Sequence, residues 1–343
     1  MTIKTNRVIV ITLLMIVASV HARAQESVVV TSPPSAPSAP SPSLFTVNEN
    51  FLAYYYAPTA TNPGAGETPK HVVSYTHFDV WKYGTNFFNV EWLKATNGKA
   101  PPFGTPAAPC DQGGPLDPPG SERCDGYTEI YAFFRSTLGW NQLLGTKRFA
   151  VGPLTNIEFA VGADVNTDNT TLGSAKRSMQ AGLQFDFSAP YNGFLNVAGY
   201  VYKEWQNDGF ASTFPVQPIP NPSGKVDFDT TWSLELNYTQ PLGFLPPSIP
   251  LTYRALLVMH GPKGCGEPCA PMGPGLSRTT EYLTQQTLHL DVGKMLWDQP
   301  KKYAVWVGYR WWKNKFGIEE SQPSGPFVGT LESTWLVGSI VAF

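Results

Sequence analysis

The sequence is poor in charge and in long apolar runs. Only 15% of its residues are Asp, Glu, Lys or Arg, against roughly 25% in ordinary soluble domains. After its N-terminal segment it contains no stretch of about 20 apolar residues, so no helix that crosses the inner membrane is predicted. The net charge of −2 argues against a nucleic-acid partner, because phosphate backbones are bound by clustered basic side chains.

The N-terminal segment 1–24 has the pattern of a secretory signal peptide. A basic start precedes the apolar stretch 8–20, and small residues follow it, which predicts cleavage between Ala24 and Gln25. Residues 25–44 are rich in Pro, Ser and Ala, so a polyproline-like periplasmic tail is predicted. We interpret the tail either as an inert spacer or as a tether to the cell wall or to a partner.

Cysteine is scarce. The chain has four, Cys110, Cys124, Cys265 and Cys269, and an even number in an exported protein implies disulfides with three possible connectivities. The local pairs Cys110–Cys124 and Cys265–Cys269 are favoured, because each would close a loop rich in Gly and Pro. A metal site made of the second pair with His260 is a less favoured alternative, so no metal and no cofactor is predicted.

From Phe45 onward the sequence alternates between apolar and polar residues. The alternation recurs in blocks of about ten to fourteen residues, the length that a tilted strand needs to cross a bilayer. The predicted strands are 45–57, 70–83, 86–96, 126–138, 153–165, 176–188, 193–206, 227–240, 250–261, 281–293, 302–316 and 330–343.

The connections between these strands are alternately long and short. The segment 139–152 is the exception, being too long for a tight turn, and could hold a small helix. Short periplasmic turns and long outside loops are typical of outer-membrane barrels. The sequence therefore predicts an all-β fold, a 12-stranded antiparallel transmembrane β-barrel over residues 45–343, with ten or fourteen strands as alternatives.

The C-terminus agrees with a barrel. The chain ends on Phe343, and counting back in twos gives Val341, Ser339, Val337 and Trp335. This stripe is predicted to face lipid, with the terminal aromatic ring at the membrane interface. Phe343 is thus the predicted insertion signal for the barrel-assembly machinery, and outer-membrane lipid is the other predicted partner.

If the strands close into a barrel, a solute can meet only the side chains that face the lumen. Carboxylates outnumber bases in this set, which disfavours a pore selective for phosphate or sulfate. Aromatic rings in the set can stack on flat solutes, at ~1–3 kcal/mol per nucleobase. The alternatives are that opposite charges merely hold the barrel round and that the rings merely fill it. The candidate solute-binding residues are Glu129, Tyr131, Phe133, Arg135, Asn196, Tyr200, Glu204, Glu235, Trp306 and Arg310.

No catalytic motif is evident. His77 and Asp79 share one face of a predicted strand, and His289 and Asp291 do too. No serine stands at a recognisable spacing from either pair. We interpret both pairs as polar lumen residues, and no enzymatic activity is predicted.

Four segments point to a known family. They are 86–92 (NFFNVEW), 127–131 (YTEIY), 179–183 (MQAGL) and, most of all, 196–209 (NVAGYVYKEWQNDG). In these segments and in their order the chain resembles the Tsx-like nucleoside-specific channel-forming proteins of the outer membrane. The resemblance covers 45–343. It implies a monomeric, narrow, 12-stranded barrel that holds nucleobases between aromatic and polar lumen side chains.

The predicted function is therefore passive, substrate-selective diffusion of nucleosides or similar small neutral solutes across the outer membrane. A general or differently specific porin is one alternative. A structural or adhesive surface barrel that acts through its loops is another.

Overall fold

The structure is a computed structural model, and it describes residues 44–63, 66–96, 128–168, 175–207, 225–264, 278–319, 321–322, 325–326 and 329–343. The predicted signal peptide with its cleavage site, nearly all of the tail, and the residues Cys110, Cys124, Cys265 and Cys269 lie outside the described residues. What the sequence indicates for these segments stays a prediction.

Twelve antiparallel strands form a closed barrel. Each strand pairs with the next along the chain, and the last pairs with the first, which removes every free sheet edge. The strands are β1 (Phe45–Ala57), β2 (Lys70–Trp81), β3 (Gly84–Ala95), β4 (Thr128–Gly139), β5 (Leu154–Asp168), β6 (Arg177–Ala189), β7 (Gly193–Asn207), β8 (Thr231–Pro241), β9 (Leu251–His260), β10 (Glu281–Asp291), β11 (Tyr303–Lys313) and β12 (Glu332–Ala342).

The predicted strand count is confirmed, and most predicted strand ends lie within three residues of the observed ones. The largest difference is at β8, which begins at Thr231 rather than at residue 227. The preceding residues form a separate short strand, Lys225–Asp227, which pairs with the end of β7.

The two ends of the barrel differ. The turn end carries the start of β1, the end of β12 and connections of 2 to 14 residues, and the loop end carries connections of 8 to 32 residues. The predicted small helix in 139–152 is present as α1. Among the described residues no helix is long and apolar enough to cross a membrane. The smaller elements are the helices α1 (Trp140–Leu143) and α2 (Val292–Trp297), the 3-10 turns Pro190–Asn192 and Lys315–Gly317, and the paired short strands Thr61–Asn62 with Gly66–Glu67 and Ser321–Gln322 with Gly325–Pro326.

Neighbouring residues of each strand point to opposite sides of the wall. On β6, Ser178 and Gln180 are buried inside, whereas Met179 lies between them and is 62% exposed on the outside. The outer wall is an apolar belt of such residues, as a lipid-facing surface requires. The belt includes the C-terminal stripe, in which Trp335 is 65% and Phe343 66% exposed.

The inside of the barrel is packed. Tyr55, Leu93, Trp306 and Leu336 form one buried apolar cluster, and Tyr131 packs against it. These residues come from five different strands. The lumen wall is therefore held by contacts across the barrel as well as by the hydrogen bonds between neighbouring strands.

Candidate functional site in the lumen

The ten candidate solute-binding residues all lie on the inner face of the wall. The pairing register fixes this, because inward positions are opposite one another on neighbouring strands. Solute binding by any of them stays a prediction. Glu129, Tyr131, Phe133 and Arg135 lie on β4, Asn196, Tyr200 and Glu204 on β7, Glu235 on β8, and Trp306 and Arg310 on β11.

Arg135 and Glu235 form an ion pair across the lumen, although four steps along the sheet separate their strands. Nη2 and Nε of Arg135 donate to the Glu235 carboxylate at 2.6 and 3.0 Å. Nη1 donates to Oδ1 of Asp164 at 2.6 Å, and Gln180 Nε2 donates to Glu235 at 2.9 Å. We call these four residues the central bridge. One guanidinium is shared by two carboxylates, so the bridge offers both donors and acceptors to a solute.

The bridge depends on a glycine. Arg135 crosses β5 at Gly162, where an added Cβ would lie 2.7 Å from Cδ and 2.9 Å from Nη1 of the arginine. The side chains of Arg135, Asp164 and Glu235 are 16%, 3% and 6% exposed. Charges buried to this degree are retained only when hydrogen bonds compensate for lost hydration. The bonds listed above supply that compensation and fix the geometry.

An aromatic row runs beside the bridge. The rings of Phe87 and Phe133 stack with centroids 5.4 Å apart, and Tyr131 follows Phe133 at 5.7 Å. The guanidinium of Arg135 lies 5.4 Å from the Phe133 centroid. Phe133 is therefore next to both the aromatic row and the guanidinium of the bridge.

A second group of candidates lies on another side of the lumen. Nη2 of Arg310 donates to the Tyr55 hydroxyl at 3.1 Å, and that hydroxyl donates to Glu91 at 3.1 Å. Trp306 packs on Tyr55 at 5.5 Å and on His289 at 5.6 Å. Arg310 and Trp306 thus belong together, separate from the central bridge.

At the loop end the inward carboxylates are paired with lysines. Lys263 reaches Glu204 at 2.6 Å, and both side chains are 0% exposed. We call the whole set of pairs the loop-end layer. Its members are Lys70 with Glu129, Lys176 and Lys263 with Glu204, and Lys315 with Glu332.

Burial and pairing act in opposite directions on the three lysines of this layer that lie outside the strands. Burial lowers the pKa of Lys263 despite its contact with Glu204. It also lowers the pKa of Lys315 to about 8, against the attraction of Glu332. At Lys176 burial is outweighed by Glu204 and Glu281, and the pKa lies above its usual value. The layer thus places ammonium groups where water cannot solvate them.

These lysines are the site residues that sequence reasoning missed. Lys70, Lys176 and Lys315 lie at the ends of the predicted strands 70–83, 176–188 and 302–316, and only Lys263 lies in a predicted connection. A lysine at the end of a predicted strand is therefore the available signal. Glu129 and Glu204, two of the ten candidates, are thereby committed to lysine partners.

Asn196 and Tyr200 take no part in the hydrogen bonds of the central bridge. Tyr200 is 6% exposed and packs with Ala160 and Ala198 on the inner wall. Asn196 lies nearer the turn end, in register with Asp186 and Asn237. The candidates therefore occupy several levels of the lumen rather than one site.

The prediction that His77 and Asp79 face the lumen is wrong. Both point outward on β2, in a hydrogen-bonded chain in which His77 contacts Asp79 at 3.2 Å, Asn86 donates to Asp79 at 2.9 Å and Ser136 donates to Asn86 at 2.7 Å. Near the turn end β2 has apolar Phe78 and Val80 on its inner face and polar His77 and Asp79 on its outer face, so alternation indicates the wrong side. Ser136 donates to Asn86 and does not contact His77.

The other His–Asp pair is divided between two roles. His289 faces the lumen as predicted, bonded to Thr287 at 3.0 Å and stacked on Trp306. Asp291 ends β10 and caps α2, accepting the backbone N–H groups of Lys294 and Lys301 at 2.8 and 2.7 Å.

No protein-family profile matches the sequence, and no curated protein matches it. Three solved structures are similar at a distance. An outer-membrane channel from Pseudomonas putida F1 is 6% identical over 89% of this chain and 100% of that chain, with a TM-score of 0.44. The β domain of the Bordetella autotransporter BrkA is 8% identical over 86% and 99%, with a TM-score of 0.34. An anion-selective porin from Comamonas acidovorans is 9% identical over 87% and 99%, with a TM-score of 0.29.

These likenesses are too distant to carry an argument about what the barrel does, and membership of the Tsx-like family stays a prediction. The molecule's own features are more decisive. It is a closed 12-stranded antiparallel barrel with an apolar outer belt. The chain is a β-barrel of the outer membrane.

Proposed function

We propose that the barrel is a channel for passive, selective diffusion of small polar solutes that carry a flat ring, with nucleosides as the first candidates. The observation that carries the proposal is the aromatic row beside the central bridge. Phe133 offers a ring face, and Arg135 and Glu235 offer donors and acceptors within reach of that face.

The two features act on different parts of such a solute. Stacking on Phe133 and Tyr131 favours any flat ring, at ~1–3 kcal/mol per base. Hydrogen bonding to the bridge favours a ring whose edge has both donors and acceptors, which a nucleobase has and a hydrocarbon ring lacks. Passive transport requires release as well as binding. The hydrogen bonds between the solute and the bridge must therefore be weak enough to break again.

The experiment is current through planar bilayers that contain the purified full-length protein, titrated with adenosine, adenine, ribose and glucose. We expect saturable block by adenosine and none by glucose. Phe133→Ala should weaken the block about tenfold, the value of one lost stacking contact. The matched control is Phe134→Ala, because Phe134 is the next residue and faces lipid. A conductance that none of the four solutes changes would contradict the proposal and favour a general porin.

A structural or adhesive barrel is the second candidate. The observation that favours it is the filling of the lumen by the central bridge, the apolar cluster and the loop-end layer, because a scaffold needs rigidity and no pathway. It predicts no conductance in the wild type or in Arg135→Gln. It also predicts that deletion of 97–125 abolishes adhesion.

A further inference from the structure

Polar side chains on the lipid-facing wall generally pair with one another. The Tyr54 hydroxyl bonds Nδ1 of His71 at 2.6 Å, and the hydroxyl groups of Tyr309 and Ser333 lie 2.6 Å apart. These pairs, like the chain that contains His77, satisfy polar groups that lipid tails could not. The outer wall therefore contains polar residues where neighbours can supply their hydrogen bonds.

Gln286 departs from this rule. It points outward on β10, is exposed, and accepts one hydrogen bond at Oε1 from the Tyr253 hydroxyl at 3.1 Å. Among the described residues its amide nitrogen has no hydrogen-bond partner. Rotating the amide by 180° would only exchange the ends, so one polar end of Gln286 is unsatisfied in either orientation.

The position of Gln286 in the membrane raises the free energy of its unsatisfied amide. It is the sixth of the eleven residues of β10, so it lies near the middle of an apolar band that is about 25 Å tall. Leu288 and Leu290 follow it on the same outward face. Phospholipid headgroups and water are therefore out of reach, and an unsatisfied amide in hydrocarbon costs several kcal/mol.

We propose that two copies of the barrel associate side by side through this face, with Gln286 bonded to the partner subunit's Gln286. A primary amide carries a donor and an acceptor, so it is its own complement. A two-fold axis brings the same residue of each copy together. Two such amides facing each other satisfy the amide nitrogen that is open in each barrel, because each nitrogen donates to Oε1 of the other amide.

The surroundings of Gln286 allow that approach. Its register partner on β9 is Ala255, whose methyl group leaves the amide accessible from one side. Its register partner on β11 is Tyr309, which is already bonded to Ser333 and stacks edge-on against Trp335. The face thus has a small, polar centre, and the aromatic residues on one side of it already have interaction partners. Because the face lies on the outside of the wall, contact through it does not involve the lumen of either barrel.

The test uses full-length protein in vesicles of phosphatidylethanolamine and phosphatidylglycerol at a range of protein-to-lipid ratios. Single-molecule photobleaching counts the subunits in each spot. We expect two-step bleaching for the wild type at high density and a dimer association constant about threefold to tenfold lower for Gln286→Leu, as measured hydrogen bonds between membrane segments suggest. Ser339→Leu is the matched control, since Ser339 is another polar residue on the outer face, and it should leave the association unchanged.

Gln286→Leu replaces a lipid-facing residue by a more apolar one, and a mobility shift on heating verifies that the variant is folded. Gln286→Asn keeps the amide and should retain part of the association. Single-step bleaching of the wild type at every density would overturn the proposal. Dimers of Gln286→Leu as stable as those of the wild type would overturn it as well.

Discussion

The central bridge and the loop-end layer both bury ion pairs, but they join different parts of the molecule. The bridge connects wall to wall, from Arg135 on β4 to Glu235 on β8. The layer connects wall to loop in the contacts of Lys263 with Glu204 and of Lys315 with Glu332, and it joins two strands in the contact of Lys70 with Glu129. Pairs of the first kind determine what the lumen offers a solute, whereas pairs of the second kind hold the loop end on the barrel. Stability and transport should therefore respond differently to the loss of each.

The largest effect on stability is expected in the loop-end layer. Lys263→Met leaves Glu204 buried with only the more distant Lys176 as a cation, at 3.9 Å. Breaking a buried pair costs about 3–5 kcal/mol in the free energy of unfolding. Urea unfolding of the barrel in vesicles measures this change in the free energy of unfolding. A loss below about 1 kcal/mol would mean that the layer is not holding the loops.

A bridge variant should cost less stability and change conduction more. Arg135→Gln leaves Asp164 and Glu235 without their guanidinium, but the glutamine amide can still donate and Arg135 is 16% exposed against 0% for Lys263, so we expect about 1–3 kcal/mol of destabilisation. The two freed carboxylates should shift the reversal potential in a KCl gradient toward cation selectivity. Unchanged selectivity would show that ions do not pass the bridge.

Gly162→Ala tests the difference between the central bridge and the loop-end layer without removing a charge. The new methyl group must displace Arg135, at about 1–3 kcal/mol for overpacking. The ion selectivity should change in the same direction as in Arg135→Gln, but by a smaller amount. The mobility of the loop end, measured by protease nicking, should stay as in the wild type.

The smallest effect is expected for an ion pair outside both groups. Lys203 pairs with Asp227 at 2.6 Å, but their side chains are 30% and 49% exposed. Lys203→Met should cost less than about 1 kcal/mol, because exposed pairs contribute little. A loss as large as that of Lys263→Met would show that burial does not explain the difference between the two pairs.

The strands were predictable because their signal is local. Along β6 every second residue is apolar, and that alternation gives the strand and its lipid-facing side at once. The same rule failed at His77 and Asp79, where the polar residues face outward and apolar Phe78 and Val80 face the lumen. Gln286 shows a related limit. The alternation predicted the strand that contains Gln286, but it did not predict that this polar residue faces lipid.

The sequence by itself determined the number of strands, their approximate ends and the inward side of β4, β7, β8 and β11, since each rests on residues two positions apart. Only the tertiary structure decided which inward residues meet. Arg135 and Glu235 are 100 positions apart, and their contact depends on how the closed sheet curves and on the room left by Gly162. Lysines from the connections reach the lumen for the same reason, because closure brings chain ends that are remote in sequence over the same opening.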